Sequence, residues 1–314
     1  MKLLIAGGFG YIGGRLGQHL IQTGHQIILG SREAGSASDW LPQAEVVQIE
    51  WNDQGSLEQI CDGVDIVVQA AGMNSQDCAA DPVAALGFNG VATARLLKAA
   101  IKQRVKRFIY LSTAHVYGSP LVGMISEGIC PINLHPYATS HRAGEDVVRA
   151  AHQQGEIEGI VIRLSNAFGV PAHKDANCWM LLVNDLCRQA VVNHRLVMNS
   201  SGQQRRDFVT LHDVVRAVSH LLHLPKEQIG DGLFNVGGEW APRVIDMVEL
   251  IQHRCSGVLG FEPGVHSPEA SSDESDFVLE YRIDKLLSTG FSLERNIDEE
   301  IDATLLFCQR IFKK

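Results

Sequence analysis

LLIAGGFGYIG, residues 3–13, sets a short apolar run directly against glycines at 7, 10 and 13, and a helical pattern follows from Tyr11 to Gln22. A strand that turns sharply into a helix has little room for side chains at the turn. Gly7 permits the tight turn, Gly10 lets an anion approach the backbone, and Gly13 lets the helix pack close to the strand. The helix N-terminus adds a field that favours negative charge. With a strand before it and a helix after it, this spacing predicts a dinucleotide site that also takes in Phe9, Tyr11 and Ile12.

The same alternation continues along the chain. Runs rich in Val and Ile at 3–6, 26–30, 46–50, 65–70, 107–112, 159–165 and 233–236 read as strands. Several are apolar on consecutive residues, as expected of strands covered on both faces. Helical patterns lie at 11–22, 56–61, 82–103 and 137–153, then up to Asn193, after Thr210 and from Arg243 to Arg254. Strand and helix alternating in this way predict an α/β fold, a doubly wound parallel sheet of the Rossmann type with ligands at the strand C-terminal ends. After Ser165 the pattern loosens. The expected organisation is a dinucleotide-binding domain over 1–165, to which 204–236 returns, and a smaller, partly discontinuous substrate domain over most of 166–314.

Bulk properties narrow the function. The 314 residues are 45% hydrophobic and 20% charged, with a net charge of −9. That balance disfavours nucleic acid and membrane surfaces as partners. No apolar stretch reaches the ~20 residues of a membrane span, and the apolar start is too short for a signal peptide. Cys61, Cys78, Cys130, Cys178, Cys187, Cys255 and Cys308 are scattered with no C-x-x-C pair. Free thiols in a reducing, cytoplasmic setting are the simplest reading. His220 and His223 share a helical face, but no H-E-x-x-H completes a site, so no metal is expected.

The end of the second strand bears on cofactor choice. ILGSRE finishes on Gly30, Ser31 and Arg32, with no carboxylate at the strand tip. A hydroxyl and a guanidinium suit a 2′-phosphate, and Arg15 could add to them. NADP(H) is therefore favoured; NAD(H) is open if Glu33 reaches the ribose. Glu50 and Trp51 after the third strand, and Ala70, Ala71 and Gly72 after the fourth, are assigned to the same ligand.

Further motifs follow in order: DGVDIVVQAAG (62–72), LSTAHVYG (111–118), PYATSH (136–141), RLSNAFG (163–169), RRDFVTLHDV (205–214) and FNVGG (234–238). With the glycine-rich turn, they resemble the extended short-chain dehydrogenase/reductase family, in its sugar-nucleotide epimerase and reductase branch. The resemblance runs over most of the chain. It implies that Thr113 hydrogen-bonds the reacting oxygen and that Tyr137 is the general acid/base. It implies substrate contacts from Asn166, Asn177 and Arg206, a nucleotide-sugar substrate, and a homodimer through helices 82–103 and 137–153. Dehydratases of the family carry an Asp-Glu pair where this chain has Ala114 and His115, which disfavours 4,6-dehydration.

One position departs from the family pattern, Tyr-x-x-x-Lys. The lysine, which grips the nicotinamide ribose and lowers the tyrosine pKa, is replaced by His141. Residues four apart share a helical face, so the imidazole can lie beside the phenol. An unperturbed imidazole titrates near 6.5 and is mostly neutral at pH 7. Three alternatives stay open: His141 serves in a modified role, a cation comes from elsewhere, such as Arg142, or the protein binds cofactor with little turnover. A reductase of a non-nucleotide carbonyl compound is a further alternative. A second family arginine, expected near the C-terminus, is replaced by the acidic SPEASSDESDF (267–277).

Overall fold

Every one of the seven apolar runs becomes a strand of one parallel sheet, with ends shifted by one or two residues. The computed structural model describes residues 1–32, 39–269 and 277–313. The strands are β1 (Lys2–Ala6), β2 (Gln26–Ser31), β3 (Glu45–Gln48), β4 (Ile66–Gln69), β5 (Arg107–Thr113), β6 (Glu158–Leu164) and β7 (Leu233–Val236). Their order across the sheet is β7-β6-β5-β4-β1-β2-β3, all parallel. The winding direction reverses between β1 and β4, and there the strand ends open into a crevice.

Alternate residues of each strand feed opposite faces of the sheet. Leu3, Ile5, Leu29, Val68, Ile109 and Ile162 pack on one face. They meet Leu16 and Leu20 of α1 (Tyr11–Gln22), together with Val214, Val218 and Leu221 from the later helix Leu211–His223. Leu4, Ile28, Val67, Phe108 and Val161 face the other way. They pack on Leu57 of α2 (Gln54–Cys61), Leu96 and Ala100 of α3 (Thr93–Lys102), and Val148 of α4 (Pro136–Gln153). Each such buried side chain contributes about 1.5–3 kcal/mol, so the sheet is held from both sides. That later helix is α6 (Leu211–His223), and beyond it a third cluster joins α5 (Leu182–Asn193), α7 (Val244–Leu259) and α8 (Ile297–Phe312): Leu186, Met247, Ile251, Ile301 and Leu305 form its centre.

Two differences from the periodic pattern matter for the site. The helical stretch beginning at Pro82 is not uniform. A turn of α-helix, Pro82–Ala85, passes into a π-helical segment, Leu86–Ala92, before α3. The wide turn brings Asn89 inward, fully buried. The chain after β3 also turns earlier than the apolar run implies. Asp53 caps α2 by accepting from the backbone of Gly55 and Ser56, and its own N–H reaches the Glu50 carbonyl at 2.9 Å. Glu50 therefore ends up exposed on a turn.

Candidate active site

The glycine turn is built as its spacing implies. Gly7 has φ of 84°, and a Cβ there would lie 2.7 Å from the Ala71 backbone nitrogen. A Cβ on Gly13 would lie 2.3 Å from the Gly7 carbonyl oxygen. Strand, turn and helix thus touch backbone to backbone. Gly10 is the N-cap of α1 and makes no side-chain cap, so the first helical N–H groups face the crevice.

The crevice is a continuous cleft of about 1970 Å³. Gly7, Phe9, Gly10, Tyr11, Ile12, Ser31, Arg32, Trp51, Ala70, Ala71 and Gly72 line its nucleotide half. Gly13 is buried behind the turn and acts through packing. Glu50 is exposed between Ile49 and Trp51, which both line the cleft. Arg15 is a correction. Its guanidinium donates to the Val170 carbonyl at 2.9 Å and pairs with Glu300 at 3.1 Å, tying α1 to α8. Glu33 and residues 270–276 of the acidic stretch lie outside the described residues. Arg32 makes no ion pair among the described residues. The Trp51 indole N–H is buried without a partner on the same wall. A backbone cradle, a guanidinium with no ion pair among the described residues and a buried indole donor fit a dinucleotide.

Unforeseen from the sequence is an aromatic clasp over the turn. Trp40 stacks on His173 at 4.7 Å between ring centroids and meets Phe9 edge-on at 5.8 Å. The His173 ring nitrogen hydrogen-bonds the Phe9 carbonyl at 2.9 Å. The Tyr11 hydroxyl donates to the Gly169 carbonyl at 2.9 Å, anchoring the same loop.

At the other half, β5 and α4 bring the catalytic candidates together. Thr113 ends β5, and its oxygen accepts the His115 N–H at 3.2 Å. Burial raises the Tyr137 phenol above its ordinary value of 10, and the nearby Thr113 hydroxyl opposes that rise. Tyr137 and His141 meet edge-to-face, 4.6 Å between ring centroids. His141 is 6% exposed, and burial drives its imidazole down to about 4. The residue in the lysine position is therefore uncharged at neutral pH. Arg142 does not supply the missing cation: it is exposed and donates to the Pro131 carbonyl at 3.0 Å.

Behind these residues lies a buried polar network that no motif announced. Glu145, one turn beyond His141, accepts from the Ser112 hydroxyl at 2.5 Å and holds Arg163 of β6 at 2.6 Å. Asn89 accepts from the Met73 N–H at 2.9 Å and donates to the Ser140 hydroxyl at 3.0 Å. The only sequence signal was polar residues inside otherwise apolar strands and helix faces.

On the substrate side, Asn166, Asn177, Arg206, Met180 and Phe208 line the cleft. The Asn166 amide donates to the Asp207 carbonyl at 2.9 Å. Asn177 is exposed at the rim. Arg206 is half-buried, desolvation lowers its pKa, and it makes no ion pair among the described residues. Its neighbour Asp207 is buried, accepts from the Gly238 and Trp240 N–H groups, and is pushed up to about 6 by burial. Arg205 turns its guanidinium to the Ala241 carbonyl instead. Among the described residues no group of His, Cys, Asp and Glu could hold a metal ion, and no helix is long and apolar enough to cross a membrane.

Comparison with known proteins adds an independent line. A putative UDP-glucose 4-epimerase of Methanocaldococcus jannaschii is 27% identical, covering 80% of this chain and 81% of that protein. The human dTDP-D-glucose 4,6-dehydratase is 26% identical over 80% of this chain and 73% of its own length. Among solved structures, UDP-glucuronic acid 4-epimerase from Bacillus cereus, in complex with UDP-glucuronic acid and NAD, superposes with a TM-score of 0.82 at 21% identity, covering 99% of this chain and 100% of that one. The UDP-glucose 4-epimerase of Thermotoga maritima gives a TM-score of 0.81 at 20% identity, covering 99% of each chain. These likenesses show a shared fold. The family model for the NAD dependent epimerase/dehydratase family matches residues 3–237, the span that holds the glycine turn, Thr113, Tyr137 and Arg206. By that match, the chain belongs to the NAD dependent epimerase/dehydratase family.

Proposed function

We propose that the chain reduces a keto group, most naturally at the 4-position, of a nucleotide-activated sugar, with Tyr137 as proton donor and NADP(H) as the favoured dinucleotide. The observation that carries this reading is the uncharged His141 beside a phenol whose pKa is raised. Without a neighbouring cation the phenol keeps its proton through neutral pH. A protonated phenol can protonate the oxygen of a carbonyl as that carbonyl is reduced. The reverse direction needs the phenolate, which is scarce near pH 7. Epimerisation needs both roles from the same tyrosine in one cycle, so it is the slower use of this site. Nicotinamide, when bound, supplies the hydride.

The substrate class rests on Arg206, a cation in the cleft with no carboxylate partner among the described residues. A guanidinium in that state suits a diphosphate. The named relatives act on UDP- and dTDP-sugars, which agrees. Ser31 and Arg32 at the tip of β2 support NADP(H), while the cited Bacillus structure contains NAD; both cofactors belong in the assay. Residues 1–165 with 204–236 hold the dinucleotide in this reading, and most of 166–314 holds the sugar nucleotide.

The test is hydride transfer to 4-keto sugar nucleotides with NADPH and with NADH from pH 6 to 9. Reduction should stay nearly level over that range. Oxidation of the corresponding alcohol should rise by about tenfold per pH unit, following the phenolate. His141→Lys should raise oxidative turnover at neutral pH and flatten that slope. Bound dinucleotide with no transfer to any keto sugar nucleotide would favour a cofactor-binding protein without turnover. Transfer only to simple ketones would favour a reductase of non-nucleotide carbonyls.

A further inference from the structure

Tyr110 stands in the middle of β5, 1% exposed, with its hydroxyl 2.9 Å from Nδ1 of His141. That edge of the imidazole is turned into the protein. The opposite edge faces Gly72 at the end of β4: a Cβ there would lie 3.4 Å from Cε1 and 3.6 Å from Nε2. Gly72 and His141 both line the cleft. Gly144 leaves room for the contact, since a Cβ on it would lie 2.6 Å from the Tyr110 hydroxyl.

The direction of this hydrogen bond follows from counting protons. A phenol has one proton and can accept as well as donate. The buried Thr93 hydroxyl lies near the Tyr110 oxygen and favours its ionised form. Thr93 itself accepts from the Gln69 amide at 3.3 Å, so its own proton is free to point at Tyr110. The Tyr110 proton then has two acceptors in reach, His141 Nδ1 at 2.9 Å and the Asn89 carbonyl at 3.4 Å. The shorter contact lies at normal hydrogen-bond length and the longer does not. Placing the Tyr110 proton on the shorter contact makes Nδ1 the acceptor, and a neutral imidazole that accepts at Nδ1 carries its proton on Nε2.

We infer that Tyr110 is a positioning residue: by donating to Nδ1 it holds His141 as the neutral Nε2–H tautomer, so that the imidazole offers one hydrogen bond to a hydroxyl of the dinucleotide ribose in place of a lysine ammonium. The inference rests on the dinucleotide reading of the cleft and not on the identity of the sugar. His141 in this form grips the cofactor without charging the site. That separates two roles a lysine performs together, holding the ribose and acidifying the tyrosine.

The test begins with protein free of dinucleotide. Imidazole ¹⁵N shifts of His141 should show a pyridine-type Nδ1 and a pyrrole-type Nε2, unchanged from pH 5.5 to 9. Tyr110→Phe keeps the ring and removes the proton. Its His141 shifts should move towards a mixture of tautomers, and dinucleotide affinity by calorimetry should weaken by about two- to tenfold, the worth of one hydrogen bond. His141→Gln, which keeps a donor, should retain more affinity than His141→Leu. A wild-type Nδ1–H tautomer, or an imidazolium at pH 7, overturns the inference even if Tyr110→Phe does not fold. So does a folded Tyr110→Phe whose shifts and affinity match wild type. None of these readouts uses sugar turnover, so failure of the proposed reduction leaves them standing.

Discussion

Arg206 illustrates how a single side chain reports its role by what it lacks. Surface arginines usually find a carboxylate, and this protein pairs many: Arg15 with Glu300, Arg163 with Glu145, Arg254 with Asp302. Arg206 sits half-buried in the cleft and, among the described residues, pairs with none. A partly desolvated guanidinium with no carboxylate partner among the described residues raises the energy of the site, and on the proposed reading a diphosphate would relieve it. Arg206→Ala should therefore raise KM for a nucleotide sugar by about ten- to a hundredfold, the worth of a charged hydrogen bond, with a smaller effect on kcat. An unchanged KM would sink the nucleotide-sugar assignment. Single residues were also where sequence reading was weakest. Arg15 and Arg206 are both arginines beside glycine or aspartate motifs, yet one is a tie between helices and the other faces the cleft. Only the fold decides which carboxylates come within reach. The end of the third strand was hidden for a similar reason: local capping by Asp53, and not strand propensity, fixed it.

Among elements, α4 carries the site. Tyr137, His141 and Glu145 recur every four residues, so they form one stripe on the face turned to the sheet. Tyr110 and Ser112, two apart on β5, share a strand face and meet that stripe. Each helical turn thus bears a polar residue facing the sheet: Tyr137 near Thr113, His141 bonded to Tyr110, and Glu145 bonded to Ser112 and Arg163. The deepest rung fixes the helix. Glu145 is fully buried and Arg163 is 2% exposed, and the guanidinium also lies 4.6 Å from the Tyr117 ring centroid. Glu145→Ala would leave a buried arginine uncompensated and should cost about 3–5 kcal/mol of stability, read from the shift in denaturant midpoint. A loss under about 1 kcal/mol, the scale of an exposed pair, would mean the pair does not anchor α4. The strands and helices themselves were legible because their signals are periodic and local. The rungs between them were not. They join residues distant in sequence, and a buried serine, glutamate or tyrosine looks like any other polar residue until its partner is known. The π segment hid for a different reason: one wide turn scarcely disturbs apolar periodicity, although it is what places Asn89 between Met73 and Ser140.

For the whole molecule, the outer surface of the helical stretch 82–102 raises the question of assembly. Val83 is 83% exposed, Leu86 50% and Val91 48%, and Gly87 between them adds no polar cover. At this spacing they share one side of the stretch, and α4 packs beside it through the Gly90–Ala143 contact. Isolated exposed apolar residues are ordinary, but several on one face mark a surface that gains by being covered. A two-fold axis across such a pair of helices would bring each copy's stripe against its equivalent, and an interface of this kind has to bury about 1,200–2,000 Å² to be stable. A homodimer through helices 82–102 and 136–153 is what this surface predicts. Sedimentation velocity should then give a dimer at micromolar concentration. Leu86→Asp combined with Val91→Asp should shift it to monomer, with the far-ultraviolet circular dichroism unchanged, because both side chains point to solvent in the single chain. A wild-type monomer, or a double variant that stays dimeric, would place the partner surface elsewhere or remove the need for one.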